Sequence, residues 1–149
     1  IGLGEASSPV SLTTSNVIGS IVNLGTVLDE ANCPEGDRFL VIPAKVGGLI
    51  KQSDLKDASI TGDGSTPLRN GRLGMIDRFT VYVSHNLYKS GNEYSIIAGH
   101  KMGFTFASQM TNMETIRSET TFGNIIRGLQ VYGYKVVKPE ALATLVATA

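Results

Sequence analysis

Apolar residues recur at helical spacing in the first quarter of the chain. They follow residues 13–15 (Thr-Thr-Ser), whose side chains cap helix N-termini. The apolar positions are Val17, Ile21, Leu24, Leu28 and Ala31. This period predicts an amphipathic helix that Pro34 ends. Because Gly19 and Gly25 each weaken a helix by about 1 kcal/mol, we expect packing rather than propensity to stabilise it.

After this helix the pattern changes to short elements. Residues 34–37 (PEGD) have the composition of a turn, and residues 38–43 (RFLVIP) form a nearly continuous apolar run that is typical of a buried central strand. Residues 44–52 are predicted to form a short helix. Residues 53–71 are rich in Gly, Asp and Ser, which predicts a long loop, and loops of this length are often functional.

The second half of the chain is predicted to consist mostly of strands. Residues 72–76 form a short one, and residues 79–84 (FTVYVS) are β-branched and aromatic. Residues 94–98 and 102–107 flank Gly99-His100-Lys101 in a pattern that predicts a hairpin. Further strands are predicted at residues 112–119, within residues 122–138 and, as a strand or a short helix, at residues 141–147. One or two helices followed by strands indicate an α+β fold.

Composition narrows the class of protein. The chain has 149 residues, a length that suits one domain with its own core. Charged residues make up 17%, against about 25% in ordinary soluble domains, which favours a surface partly given to partners. Thirteen bases balance thirteen acids, so a general attraction to nucleic-acid phosphates is not expected. One cysteine excludes a disulfide framework, and no apolar run reaches the roughly 18 residues of a membrane span.

The neutral total hides an asymmetry along the chain. Residues 1–37 carry five acids and no base, whereas residues 38–149 carry thirteen bases and eight acids. The two parts could be complementary within one fold or between neighbouring copies, or both could be solvated faces. A local basic cluster, Arg69, Arg72 and Arg78, could bind phosphate or carboxylate groups, including acids on a neighbouring copy, or could consist of solvated loop charges.

Candidate catalytic and metal-binding residues are few. Cys33 is the one thiol; as a nucleophile it would need His85 or His100 beside it, and otherwise it is a small structural residue. The two histidines lack metal-ligand spacing, and no nucleophile elbow or phosphate-binding glycine motif is present. We therefore expect no catalytic site, no metal and no cofactor.

Four stretches of the chain occur in a familiar order. The first is residues 28–43 (LDEANCPEGDRFLVIP), a helix end, an L-D-E-x-N-x-P turn and an R-x-L-V-x-P strand. The second is residues 69–86, with Asn70-Gly71, and the third is residues 97–107, with the sequence A-G-H-K. The fourth comprises Phe122-Gly123, Arg127-Gly128-Leu129, Tyr132-Gly133 and residues 136–142 (VVKPEAL). Together they resemble the major capsid proteins of tailed bacteriophages, which share the Hong Kong 97 fold. Cys33 and Arg78 depart from that family's pattern, since glycine is common at the second position.

The resemblance covers residues 14–149 and implies one part of that fold. Family members are longer and begin with an N-terminal arm, an extended loop and a spine helix, which are missing from this sequence. Because the chain also begins at Ile1 without a signal-peptide pattern, we interpret it as a piece of a longer polypeptide. The implied division is an axial domain at residues 1–111, a peripheral-domain hairpin at residues 112–138, and a segment at residues 139–149 that returns to the axial domain.

The resemblance also implies a structural function. Copies of such a protein form hexamers and pentamers that tile an icosahedral shell around double-stranded DNA, without strong specific DNA binding and without a membrane partner. Scaffolding or decoration proteins would be further partners. The implied location is the virion, with the host cytoplasm during assembly. Ring contacts are heterologous, and the candidate subunit contacts are Asp29, Glu30, Asp63, Arg69, Arg72 and Arg78.

Three other functions remain open from the sequence. An encapsulin-like compartment shell would have the same fold and differ in what it encloses. A small hydrolase would use Cys33 with His85 or His100. A ligand-binding module would use the predicted loop at residues 53–71.

Overall fold

The computed structural model describes residues 2–3, 8–53 and 73–148. Within these residues, two short strands come first. Two helices with one strand between them come next, and seven further strands follow. In chain order the elements are β1 (Gly2–Leu3), β2 (Val10–Ser11), α1 (Val17–Glu30), β3 (Arg38–Ile42), α2 (Ala44–Gln52), β4 (Met75–Ile76), β5 (Phe79–Val83), β6 (Lys89–Ser90), β7 (Glu93–His100), β8 (Phe104–Arg117), β9 (Asn124–Val136) and β10 (Leu142–Thr148).

Helix α1 confirms the predicted amphipathic helix, and its apolar residues Val17, Ile21, Leu24 and Leu28 are buried. The predicted N-cap at residues 13–15 is wrong, because Asn16 occupies that position. The Asn16 side chain does not cap the helix. It accepts a hydrogen bond from Thr13 N at 2.7 Å and donates one to Ser11 O at 2.8 Å, and so fixes the segment that enters the helix.

One large sheet forms the centre of the body. Its strand order is β1-β10-β7-β3-β5-β4, with β2 also paired to β10 and β6 to β7. Strand β3 lies inside this sheet, parallel to β5 and antiparallel to β7, which confirms the predicted central strand. The C-terminal segment is a strand, β10, and runs antiparallel to β7.

The two helices cover one face of the sheet. Leu40 and Ile42 of β3 and Phe79 of β5 point to this side and are buried with the apolar residues of α1 and α2. A Cβ at Gly47 of α2 would lie 3.8 Å from Ile42 Cδ1, which shows how closely this helix packs on the sheet.

The opposite side of the sheet, which we call the open face, carries the alternate residues of the same strands. No helix covers it in the described part of the chain. The open face comprises Phe39, Val41, Thr80, Tyr82, Glu93, Ser95, Ile97, Leu142, Thr144, Val146 and Thr148. Of these residues, Glu93 alone is charged.

Strands β8 and β9 form a separate two-stranded hairpin. The predicted hairpin across Gly99-His100-Lys101 is wrong, because both edges of β7 are occupied by β3 and β10. A short 3-10 turn at Lys101–Gly103 leads instead into β8. Its shape depends on packing from far along the chain, since a Cβ at Gly103 would lie 2.8 Å from the Leu142 side chain. The hairpin therefore begins at Phe104, eight residues before the predicted start at Asn112.

The described elements confirm the α+β class, with two helices and a large mixed sheet. Most of the predicted loop at residues 53–71 lies outside the described residues, as does the start of the predicted strand at residues 72–76. The division into axial and peripheral domains stays a prediction.

Candidate subunit interface

The hairpin is the most exposed part of the described chain. Every residue of β8 and β9 is exposed to solvent. The two strands pair with each other along the whole ladder, but the outer edge of each strand pairs with no other described strand, and neither side of the hairpin packs on a core within the described residues. A lone two-stranded hairpin is marginally stable in water at best. An arm of this length therefore needs another surface to cover it.

The two faces of the hairpin differ in chemistry. Residues directly opposite each other in the ladder share a face, so the register assigns each side chain. We call one side the uncharged face. It comprises Phe104, Phe106, Ser108, Met110, Met113, Thr115, Arg117, Asn124, Ile126, Gly128, Gln130, Tyr132, Tyr134 and Val136, and Arg117 at the tip is its one charged residue. The other side, the charged face, carries the Glu114–Arg127 ion pair and Lys135 among its residues.

A β-bulge at Thr111 keeps the two faces distinct. The register shifts by one residue between Met110 and Asn112, and the Thr111 hydroxyl donates to Leu129 O at 3.3 Å. Because Thr111 is the extra residue, Met110 and Met113 lie on the same face although three positions separate them.

The uncharged face of the hairpin adjoins the open face of the sheet. The Phe39 and Phe104 rings meet edge to face, with centroids 5.8 Å apart and planes at 89°. Phe39 belongs to the open face and Phe104 to the uncharged face. Farther along the hairpin, Phe106 and Tyr132 approach to 6.4 Å between ring centroids. A surface with few charges thus runs from the sheet onto the arm, and the Asp37–Lys101 ion pair lies beside the junction.

The tip of the hairpin presents an aromatic ring. Phe122 is fully exposed, and the Arg117 guanidinium lies 5.8 Å from its ring centroid. Ser118 closes the turn: its Oγ accepts from Thr121 N at 3.1 Å. Apart from Arg117, the uncharged face carries no charge.

A network of charged side chains lies where α1 ends and β3 begins, close to the base of the hairpin. Arg38 is 1% exposed. Its Nη2 donates to Asp29 Oδ1 and to Cys33 O, both at 2.6 Å, and its Nε donates to Pro34 O at 2.8 Å. These bonds fix the turn between α1 and β3 around a buried cation.

Asp29 also accepts a second arginine. Arg78 Nη2 donates to Asp29 Oδ2 at 2.8 Å, and Arg78 Nη1 lies 3.1 Å from Glu35 Oε1. The hydrogen bonds from Arg38 and then Arg78 lower the pKa of Asp29 below its ordinary value, and the bond to Asp29 raises the pKa of Arg78. Both groups therefore stay ionised at neutral pH.

The position of Arg78 explains its departure from the family pattern. Asp77 and Arg78 form the two-residue turn between β4 and β5, with φ of 45° and 65°. Turns with positive φ at both central residues favour glycine at the second of them. Arg78 occupies the position at which a glycine would be unstrained, and its bonds to Asp29 and Glu35 compensate.

The ion pairs show which bases neutralise part of the acidic first quarter of the chain. Asp29 and Glu35 pair with arginines, and Asp37 pairs with Lys101, whose hydrogen bond lowers the pKa of Asp37. These acids are thus neutralised within the fold.

The candidate subunit contacts fall into three groups. The structure brings Asp29 and Arg78 together inside one subunit. Glu30 is exposed beside them and forms no ion pair with another described residue. Asp63, Arg69 and Arg72 lie outside the described residues. Sequence reasoning missed the buried role of Arg38, and it missed the uncharged face, whose signal is the alternation of aromatic and small residues along β8 and β9.

The residues considered for catalysis do not converge. Cys33 is buried, and His100 Nδ1 accepts a hydrogen bond from Met102 N at 3.2 Å. Among the described residues, no hydrogen bond joins the Cys33 thiol to His85 or His100, and no group of three potential metal ligands occurs. No helix in the described ranges is long and apolar enough to cross a bilayer.

These features define a class of protein: a small α+β body with a long, uncovered hairpin arm. The chain superposes on a chain from Mycobacterium phage Che8 with a TM-score of 0.81 and 26% identity, covering 97% of this chain and 52% of that one. It matches a chain in the capsid structure of cyanophage P-SCSP1u with a TM-score of 0.73 and 15% identity, over 99% and 53% of the two chains. A virus-like particle from Pyrococcus furiosus gives 0.58 and 18%, over 97% and 55%.

The chain therefore has the fold of phage major capsid proteins and spans about half the length of the solved chains it matches. No protein-family model matches the sequence, and no curated protein sequence matches it significantly.

Proposed function

We propose that this chain is part of the structural subunit of a bacteriophage or prophage capsid of the Hong Kong 97 type. Its copies assemble into hexamers and pentamers of an icosahedral shell around double-stranded DNA. The sheet and helices form the axial domain, and the hairpin belongs to the peripheral domain. The protein acts in the virion and assembles in the host cytoplasm, and no residue of it has a catalytic role.

The uncovered hairpin is the observation that carries this proposal. The two strands of this arm are exposed along their whole length and pack on no core among the described residues, and apolar side chains exposed in this way favour aggregation unless another surface covers them. Burial against other copies in a shell would give these side chains a partner.

The internal ion pairs reduce the number of charged residues that we propose as contacts between subunits. Asp29 and Arg78 already hold each other, so they support the contact surface from within the subunit. Glu30, Asp63, Arg69 and Arg72 remain as proposed contacts with a neighbouring copy. The equal numbers of acids and bases fit a shell that encloses DNA without adhering to it strongly.

Negative-stain microscopy of the complete gene product that carries this sequence tests the proposal. We expect closed shells or rings of subunits after expression in bacteria. A product that stays monomeric at high concentration, with no particles at any salt concentration, would contradict it.

Charge reversal tests the proposed ring contact. Arg69→Glu with Arg72→Glu should reduce the yield of particles, because two attractive contacts become repulsive. Lys51→Glu with Lys89→Glu changes the net charge equally elsewhere and should leave the yield near that of the parent protein. Equal yields from both double variants would remove Arg69 and Arg72 from the interface.

A compartment shell is the second candidate, favoured by the match to the virus-like particle from Pyrococcus furiosus. The contents of purified particles distinguish the two. A phage capsid would contain nuclease-protected DNA after infection or induction, whereas a compartment would contain protein cargo and no protected DNA.

A further inference from the structure

A cleft lies at the end of the large sheet where β3 and β5 finish side by side. These two strands are parallel, so their carboxyl ends meet, and just beyond them Ser84 N donates to Ile42 O at 3.0 Å. The cleft has a volume of about 130 Å³, and its polar lining comprises Lys45, Ser84, His85, Lys89 and Tyr94. In sheets that contain parallel strands, ligands bind in the crevice outside the carboxyl ends of those strands.

The lining of the cleft is basic. Lys45 comes from α2, His85 from the connection after β5, and Lys89 from β6, so three separate elements bring nitrogen groups to one place. No carboxylate of the described residues lines the cleft. Because acids and bases are equal in number over the whole chain, this excess of positive charge is a property of the place and not of the composition.

The Lys89 ammonium is held at the wall of the cleft. Its Nζ lies 5.1 Å from the centroid of the Tyr94 ring, and the two residues are partners in the β6–β7 ladder. The attraction between the cation and the ring fixes the position of the ammonium. The N–H groups that point away from the ring can still donate to a ligand.

Helix α2 adds a smaller contribution to the same potential. It begins at Ala44, which also lines the cleft, and no described side chain caps it. The first N–H groups of a helix carry partial positive charge and favour a nearby anion. Lys45 has a further contact within the chain. We therefore choose Lys89 and His85 as the residues to test.

We infer that this cleft binds a phosphate group. Its volume is well below the roughly 300 Å³ at which pockets for drug-sized ligands begin, so it suits one compact anionic group. A phosphate group with a charge near −2 and several acceptor oxygens uses donors from three sides better than a carboxylate does. The group could belong to a free phosphate ion or to the backbone of DNA. The inference does not rest on the proposed function, because a single subunit contains the whole cleft.

Titration of the ¹⁵N-labelled full chain with inorganic phosphate, followed by NMR at constant pH and ionic strength, measures the binding. The amides of Ala44 and Ser84 should shift and saturate with a millimolar dissociation constant. Lys89→Gln and His85→Gln should each raise that constant at least about fivefold, whereas Lys89→Arg keeps the charge and should change it less than about twofold.

Lys135→Gln is the matched control, since it removes the same charge from an exposed lysine of the hairpin. It should leave the dissociation constant within about twofold of the parent value. Acetate at the same ionic strength should bind more weakly than phosphate.

Three results would overturn the inference: no saturation by about 100 mM phosphate, equal affinity for acetate, or equal weakening by Lys89→Gln and Lys135→Gln. A short DNA duplex identifies the source of the group. If it shifts the same amides, the phosphate belongs to the DNA backbone; if it leaves them unchanged, the ligand is a free phosphate. Microscopy of particles is independent of this titration, so a failure to form shells would refute the proposed function and leave the phosphate site standing.

Discussion

Arg78 Nη2 donates to Asp29 Oδ2 over 2.8 Å, although 49 residues separate the two side chains in sequence. The bond joins the turn between β4 and β5 to the end of α1. The same carboxylate holds the buried Arg38 through its other oxygen. Because the C-terminal end of a helix carries partial negative charge, two guanidinium groups at this place are also favoured by α1 itself.

Substitutions at Arg78 separate the destabilisation caused by its positive φ from the stabilisation contributed by its ion pairs. Its φ of 65° suits glycine, so Arg78→Gly should be more stable than Arg78→Ala by about 1 kcal/mol. Both variants lose the bonds to Asp29 and Glu35 equally. Urea unfolding measures the difference, and a more stable alanine variant would refute the turn geometry.

Removal of the Asp29 charge should destabilise the fold. Asp29→Asn leaves the buried Arg38 with its bonds to Cys33 O and Pro34 O but without a counter-charge. Because the Asp29 side chain is 40% exposed and therefore screened by water, we expect a loss of about 1–2 kcal/mol in the free energy of unfolding. Glu30→Gln, the adjacent exposed carboxyl, is the control and should change little.

Acid should weaken the fold through two carboxyl groups. Hydrogen bonds from Arg38 and Arg78 hold the pKa of Asp29 below its ordinary 3.8, and Lys101 does the same for Asp37. A carboxyl whose pKa is lower in the folded state stabilises the fold above its unfolded-state pKa. That contribution disappears as the pH falls through the folded-state value.

The stability from Asp29 and Asp37 should thus be constant above about pH 5 and decline below about pH 4. Unfolding midpoints between pH 7 and pH 2.5 measure this. The Asp29→Asn variant should lose less stability over the acidic part of that range than the parent, and parallel curves would count against the assigned pairing.

Two glycines should respond in opposite directions to alanine. A Cβ at Gly99 would lie 2.6 Å from Ala141 O, a backbone atom that cannot move freely, so Gly99→Ala should cost about 1–3 kcal/mol. A Cβ at Gly19 in α1 would meet nothing within 4 Å, so Gly19→Ala should stabilise the helix by about 0.5–1 kcal/mol. Thermal unfolding of both variants decides the signs.

Hydrogen exchange should show two levels of protection. Amides of β3 and β7 lie in the interior of the sheet and should exchange slowly. Those of β8 and β9 should exchange faster in the monomer, because no core covers the hairpin. In assembled particles the hairpin amides should become protected. Equal protection in both states would mean that assembly leaves the arm uncovered.

Elements with a clear local period could be predicted from the sequence. The spacing of Val17, Ile21, Leu24 and Leu28 predicted α1 because one side of that helix faces a core. The apolar run around Leu40 predicted a central strand for the same reason. Both elements depend mainly on which side is buried, and burial leaves a pattern in the residues.

Features that depend on distant packing could not be predicted in this way. The false hairpin at Gly99 had local turn composition, but β3 and β10 compete for the edges of β7. The pairing of Asp29 with Arg78 joins segments 49 residues apart and leaves no local trace. In the sequence, Arg38 is the polar first residue of a predicted strand. The residues around it give no indication that its guanidinium group is buried.

The bulge at Thr111 changes what counts as a neutral mutation in the hairpin. Up to Met110 the residues of β8 on the uncharged face have even numbers, and from Met113 they have odd numbers. A shorter strand without Thr111 would restore an uninterrupted alternation and leave Asn112, Met113 and Glu114 on the sides they now occupy. Loss of Thr111 during evolution would therefore leave the side chains of β8 on their present faces. Loss of another residue of β8 would not remove the bulge in this way.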